Sequence, residues 1–185
     1  FFLNGTVEEP FPKEDRMIIP SPRVSSYDQA PEMSAMEITK ETIKAILSDK
    51  YDAILLNFAN ADMVGHTGDF AATVKGVEIV DKCLGTIAEH TLAKGGVLLI
   101  TADHGNSEEV KNLQTGAIDK EHSTNPVPFF IIGESYKGQA GPSGDPLGGD
   151  LSILPPVGML SDVAPTMLSI LGVDIPPEMT GRALI

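Results

Sequence analysis

The sequence predicts an α/β fold, a parallel-rich sheet flanked by helices, on three observations. Short apolar runs, "DAILLNF", "VLLIT" and "VPFFIIG", alternate with stretches of helical periodicity. The runs lack the in–out alternation of a half-solvated strand, so both faces read as covered. Strand, helix, strand, helix in that order is the pattern of a parallel sheet carrying helices on its faces.

Residues 1 to 33 are irregular. Pro10, Pro12, Pro20, Pro22 and Pro31 exclude a long helix, and only "RMIIP" has the character of a short strand. The first helix opens at Ser34, where Ser34 and Glu37 have the spacing of a capping box. Ala35, Ile38, Thr42, Ala45 and Ile46 then share one stripe, and the pattern ends near Asp49. After "DAILLNF", Asp69 is suited to cap the longest helix, with Phe70, Val74, Val77, Leu84, Ile87, Ala88 and Leu92 at helical spacing. Gly95 and Gly96 end it. A polar stretch from Asn106 to Asn125 separates "VLLIT" from "VPFFIIG". Residues 133–158 are rich in Gly and Pro and read as a long loop. Ser161 or Asp162 caps a last helix, "VAPTMLSIL", which Gly172 stops.

Net charge is -13 and pI about 4.5. Such a surface repels nucleic acid and anionic membrane, so neither is an expected partner. It also repels a phosphorylated substrate unless cations reverse the field locally. The three arginines, Arg16, Arg23 and Arg182, are few for gripping a phosphate and a carboxylate unaided. Cys83, the single cysteine, excludes an internal disulfide, fits a reducing cytoplasmic setting and reads as a core residue. No run approaches the length of a membrane span. The chain begins "FFLNGTVEEP", without Met and with the look of a strand end. It is expected to be the C-terminal part of a longer protein.

The chemistry-bearing candidates are Asp62, His66, Asp103, His104 and His122. Asp62 and His66 follow one apolar run, and Asp103 and His104 follow another. His122 precedes a third. In a parallel sheet, loops after neighbouring strands converge on one edge, so the two Asp/His pairs can meet. Carboxylate with imidazole suits a divalent metal, and no thiolate is available for a Cys-type zinc site. Five ligands exceed what one catalytic ion usually takes. Two metals, about 3.5–4 Å apart, are the better reading. Either pair alone also fits a turn former or N-cap. His90, in the last turns of the long helix, is placed to meet C-terminal carbonyls and reads as structural.

"NFANADMVGHTGD", "TADHGN" and "HSTNPVPF" resemble the metal-binding segments of the cofactor-independent phosphoglycerate mutases, within the alkaline phosphatase superfamily. "PFPKEDRMIIPSPRVSSYDQAPEMSA" and "DVAPTMLSILGVDIPPEMTGRALI" are similar to the same family, so the resemblance covers nearly the whole chain. It implies an alkaline phosphatase-like fold that holds two manganese ions. Carried over by motif, Asp62, His66 and His122 hold one ion, and Asp103 and His104 the other. The implied reaction interconverts 3-phosphoglycerate and 2-phosphoglycerate through a phosphoserine.

The departures from the family pattern matter. Nothing here matches the family's N-terminal segment with its nucleophilic serine and a further aspartate ligand. Its arginine-rich transferase domain is also absent. Residues 1–185 therefore read as the C-terminal portion of a phosphatase-like domain, inactive alone and open to self-association, from a monomeric parent. Ser107 is the nearest local substitute for the nucleophile, yet nothing in the motif activates it. A phosphohydrolase or phosphopentomutase on the same scaffold, and a non-catalytic metal-binding domain, are the competing readings.

Overall fold

A computed structural model describes residues 2–112, 114–142, 144 and 151–185. Its regular elements are α1 (Ala35–Leu47), α2 (Asn60–Gly65), α3 (Phe70–Ala93), β1 (Leu98–Thr101), β2 (Phe129–Ile132) and α4 (Val163–Leu171). The part of the loop at 143 and 145–150 lies outside the described residues.

α1 forms where a run free of Gly and Pro follows the last proline of the irregular segment. The expected capping box does not form. Ser34 Oγ instead donates to the Pro20 carbonyl at 2.7 Å, 14 residues back, and pins the irregular segment to the helix. Glu37 in the first turn and Lys44 in the last suit the helix dipole. Asp49, at φ 53°, turns the chain out after it.

α2 and α3 meet at a tight corner. Thr67 Oγ1 donates to the Val64 carbonyl at 2.6 Å, Gly68 takes φ 77°, and Asp69 accepts from the Ala72 amide at 2.9 Å as the N-cap of α3. α1 and α2 both pack on α3. The core between them contains Met33, Val64 and Ala72, edged by Tyr27, Ala59 and Met63. Full burial of Val64 alone contributes about 1.5–3 kcal/mol. Asn60, also buried, donates to the Pro31 and Glu32 carbonyls at 2.7 and 2.9 Å and ties α2 to the start of α1.

The face that α3 buries matches the stripe of large apolar residues at Ile87 and otherwise differs from it. Ala72, Thr73, Gly76, Cys83 and Ile87 are buried, while Phe70, Val74, Val77 and Leu92 are exposed. Small residues let α1 and α2 approach α3 closely. The larger stripe is left partly open to solvent, Phe70 most of all at 61%. Cys83 sits in the core as expected, 2% exposed. α3 ends at Lys94, with Gly95 at φ 72° as foreseen.

The sheet also departs from expectation. β1 and β2 pair antiparallel, Leu98 against Ile132 through Thr101 against Phe129. "DAILLNF" and "RMIIP" have no ladder partner among the described residues. A strand is defined by its pairing, and a sequence of strand character stays an unpaired extended segment when no neighbour supplies the hydrogen bonds. Ile18 and Leu55 are correspondingly 89% and 56% exposed.

α4 begins from a 3-10 turn at Leu160–Asp162 and ends at Gly172, φ 69°. Asp162 is its N-cap by position, but its carboxylate turns elsewhere. It accepts from the Met159 and Arg182 amides, both at 2.8 Å, and so fastens the last residues to α4. Those two bonds, the Arg182 amide first, hold its carboxyl below the ordinary value. Among the described residues, no helix is long and apolar enough to cross a membrane.

Candidate metal centre

Two segments build the site. α2 carries Asp62, and His66 caps its end, one turn further on the same face. The apolar run before it thus delivers a short helix rather than a loop. The connection between β1 and β2 carries Asp103 and His104 just past β1, and His122 further along.

Asp62, His66 and His122 each bring one donor atom into a single cluster. His66 Nε2 lies 3.1 Å from Asp62 Oδ1 and 3.1 Å from His122 Nε2, and His122 Nε2 lies 3.2 Å from the same Oδ1. Donors about 2.0–2.2 Å from a shared cation stand roughly 3–3.5 Å from one another, so this triangle has the size of one face of a coordination polyhedron. Asp62 Oδ1 is buried without a hydrogen-bond partner. An orphaned carboxylate oxygen inside a ring of imidazole nitrogens is a costly arrangement that a cation relieves.

The outer nitrogens support the same reading. His66 Nδ1 is 2.5 Å from the Lys120 carbonyl, an acceptor only. The proton therefore sits on Nδ1, and the Nε2 lone pair faces the cluster. His104 repeats this more loosely, with Nδ1 3.3 Å from the Gly105 carbonyl and Nε2 3.9 Å from Asp62 Oδ1. Its ring stacks on that of His122, centroids 3.7 Å apart. Asp103 stands apart: its side chain is 87% exposed, and its carboxylate is 3.7 Å from His104 Nε2. So Asp62, His66, His104 and His122 gather, while Asp103 lies at the rim. His90 is engaged in its own helix, Nδ1 2.9 Å from the Thr86 carbonyl.

Of the residues that support the site, the sequence drew attention only to Ser107, and for a different role. Ser107, Asn106 and Glu108 form a hub. Ser107 Oγ donates to the Ala61 carbonyl at 2.6 Å, beside Asp62. That hydroxyl is engaged with a carbonyl, which cannot take its proton, so Ser107 is no activated nucleophile. Asn106, buried, reaches the Glu121 carbonyl at 3.3 Å, beside His122. Glu108 accepts from Ser123 Oγ, from Asn125 Nδ2 at 3.1 Å and from the Asn106 amide at 2.8 Å. Burial raises its carboxyl, but the bonds from Ser123, its own amide, Asn125 and Asn106 prevail and hold it below the usual value. The only signal in the sequence was their position directly after "ADH"; the partners 15 and 17 residues away were not legible.

The 2,3-bisphosphoglycerate-independent phosphoglycerate mutase of Clostridium perfringens (strain SM101 / Type A) is 49% identical over all 185 residues, which span 34% of its length. The corresponding mutase 2 of Methanosarcina barkeri (strain Fusaro / DSM 804) is 51% identical, again over the whole chain and 32% of its own. The chain thus spans about a third of the length of these relatives. Among solved structures, Leishmania mexicana phosphoglycerate mutase at low cobalt concentration superposes with a TM-score of 0.69 at 32% identity, covering 89% of this chain and 30% of that one. This likeness supports the alkaline phosphatase-like fold. The sequence matches the metalloenzyme superfamily over residues 1–175. A match of that extent, on a chain whose orphaned carboxylate faces three imidazoles, establishes that the chain belongs to the metalloenzyme superfamily.

Proposed function

We propose that this chain is the C-terminal portion of a cofactor-independent phosphoglycerate mutase, and that the whole protein interconverts 3-phosphoglycerate and 2-phosphoglycerate. The observation that carries it is the Asp62–His66–His122 triangle on a chain about half identical to such mutases. In this reading Asp62, His66 and His122 hold one divalent cation, and Asp103 and His104 contribute to a second, with manganese as the expected ion. Two such cations, when bound, would neutralise the oxygens of a phosphoryl group in transfer and reverse the repulsive field locally, in a chain of net charge -13.

The protein's own residues supply the frame. α2 holds Asp62 and His66 one turn apart, Lys120 fixes the His66 tautomer, and the 102–128 connection brings His104 and His122 over the same carboxylate. The phosphoserine route needs a serine that this chain does not match, and Ser107 is committed to Ala61. The chain alone is therefore inactive. The parallel part of the sheet belongs, on this reading, to the remainder of the parent, a monomeric cytoplasmic enzyme with no nucleic-acid or membrane partner.

The test is an assay of full-length protein and of this chain with manganese and 3-phosphoglycerate. The full-length protein forms 2-phosphoglycerate, the chain forms none, and Asp103→Ala with His104→Ala abolishes turnover in the former. Release of inorganic phosphate without isomerisation would replace the mutase reading with a phosphohydrolase.

A further inference from the structure

The two histidine-bearing stretches of the 102–128 connection are joined by one side chain. Glu108 grips both. On its own side its carboxylate accepts from the Asn106 amide at 2.8 Å, two residues from His104. Across the connection it accepts from Ser123 Oγ and, at 3.1 Å, from Asn125 Nδ2, just past His122. Backbone pairing runs beside it: the Ser123 amide donates to the Gly105 carbonyl at 2.8 Å, and the two residues form an isolated antiparallel bridge. Gly105 has no side chain for a steric reason. A β-carbon there would overlap Ser123 Oγ and Glu108 Oε1. His122 is thus held on its C-terminal side by Glu108 and on its N-terminal side by Asn106, through the Glu121 carbonyl.

The geometry points to Glu108 as a positioning residue that sets His122 against His66 and Asp62, and through that placement sets the cation affinity of the site. This rests on the metal reading of the triangle. Glu108 is not itself a ligand: its oxygens are occupied by the donors of Asn106, Ser123 and Asn125, and the cluster of converging donor atoms is Asp62, His66 and His122. An exposed carboxylate that only stabilised the fold would leave the ring geometry of His122 unchanged. One that places the ring changes both affinity and the ligand field, and losing such outer partners typically lowers metal affinity tenfold to a hundredfold.

The experiment uses the full-length protein with cobalt(II) as the probe, read by visible absorption, and amide hydrogen exchange without metal. His122→Ala defines the cobalt site. Glu108→Ala is expected to weaken that site tenfold to a hundredfold and to shift its absorption bands. It is also expected to speed exchange at 121–125 while α1 and α3 keep their protection. Glu108→Gln, which restores an acceptor for Ser123 and Asn125, recovers most of the affinity, and the neighbouring Glu109→Ala behaves as the unsubstituted protein. Unchanged cobalt affinity and bands in Glu108→Ala overturn the proposal, as does faster exchange throughout the helices. Absence of any His122-dependent cobalt site in the unsubstituted protein overturns the metal reading, and with it the proposal. That failure is distinct because it precedes any change at Glu108.

Discussion

Gly65 lies against Asn106, so close that a β-carbon on the glycine would overlap Asn106 Oδ1. Asn106 is buried and holds the Glu121 carbonyl, so the contact sets the gap between α2 and the connection that carries His104 and His122. Gly65→Ala is expected to push the connection away. Overpacking of this kind destabilises by about 1–3 kcal/mol. A denaturant melt reads the loss, and cation affinity falls with it. Gly65→Ala paired with Asn106→Ala restores the stability in part but not the affinity, because the hold on the Glu121 carbonyl goes with the Asn106 side chain.

Cations are expected to raise the melting temperature through the triangle. A ligand at a hundred times its Kd stabilises the native state by about 2.7 kcal/mol. His66→Ala and His122→Ala each remove a donor, and the shift with manganese or zinc should vanish in both. Their metal-free melts should stay near that of the unsubstituted chain, because both side chains are partly exposed. Calorimetry with and without chelator measures this.

Much of this was legible in the sequence, and the reasons for the remainder are specific. Asp69, Gly95 and Gly172 act at their own positions, and local chemistry suffices to read them. Asp62 and His66 were singled out from their place after an apolar run, whereas the turn of helix that joins them was not foreseen. The Ser34 capping box failed because a carbonyl 14 residues away competed for the hydroxyl. The burial of α3 was read correctly at Ile87 but not at Phe70, Val74, Val77 and Leu92, because periodicity finds apolar residues without saying which flank of the stripe is covered. The one pair among the described residues is antiparallel, which the sequence did not foresee because pairing belongs to two strands, and one run of residues cannot specify its partner. Glu108 was invisible for the same reason.

Acid is expected to loosen the C-terminal segment first. Asp162 has its carboxyl lowered in the folded chain from its ordinary value of 3.8, chiefly by the Arg182 and Met159 amides. A depressed folded value means the stabilisation is fully present above the unfolded value and is lost as pH falls through the folded one. Melting temperatures taken down an acid series should therefore drop below pH 3.8. Asp162→Asn cannot serve both amides with one carbonyl oxygen, so it should melt lower at neutral pH and show a flatter acid limb.

The isolated chain is expected to self-associate. Phe70, Val74 and Val77, at helical spacing on α3, are 61%, 42% and 45% exposed. Apolar stripes of this kind mark contact surfaces or aggregation risk. Sedimentation of the chain should show species heavier than the 19.6 kDa monomer. Val74→Lys with Val77→Lys should shift the distribution toward the monomer without altering the far-UV spectrum. A chain that sediments only as monomer at high concentration would refute the expectation.

The antiparallel pairing of β1 with β2 closes a single long excursion, residues 102–128, that carries both His104 and His122. Closing a loop of that length costs chain entropy before any of its contacts repay it, whereas α2 and α3 adjoin in sequence and form early. The site is accordingly a late event in folding. Asp62 and His66 wait on a finished helical corner for histidines that arrive only when the excursion has closed. A cation that reaches the chain sooner would find two of the three donors of the triangle, so speeding capture would require a shorter excursion rather than a stronger ligand.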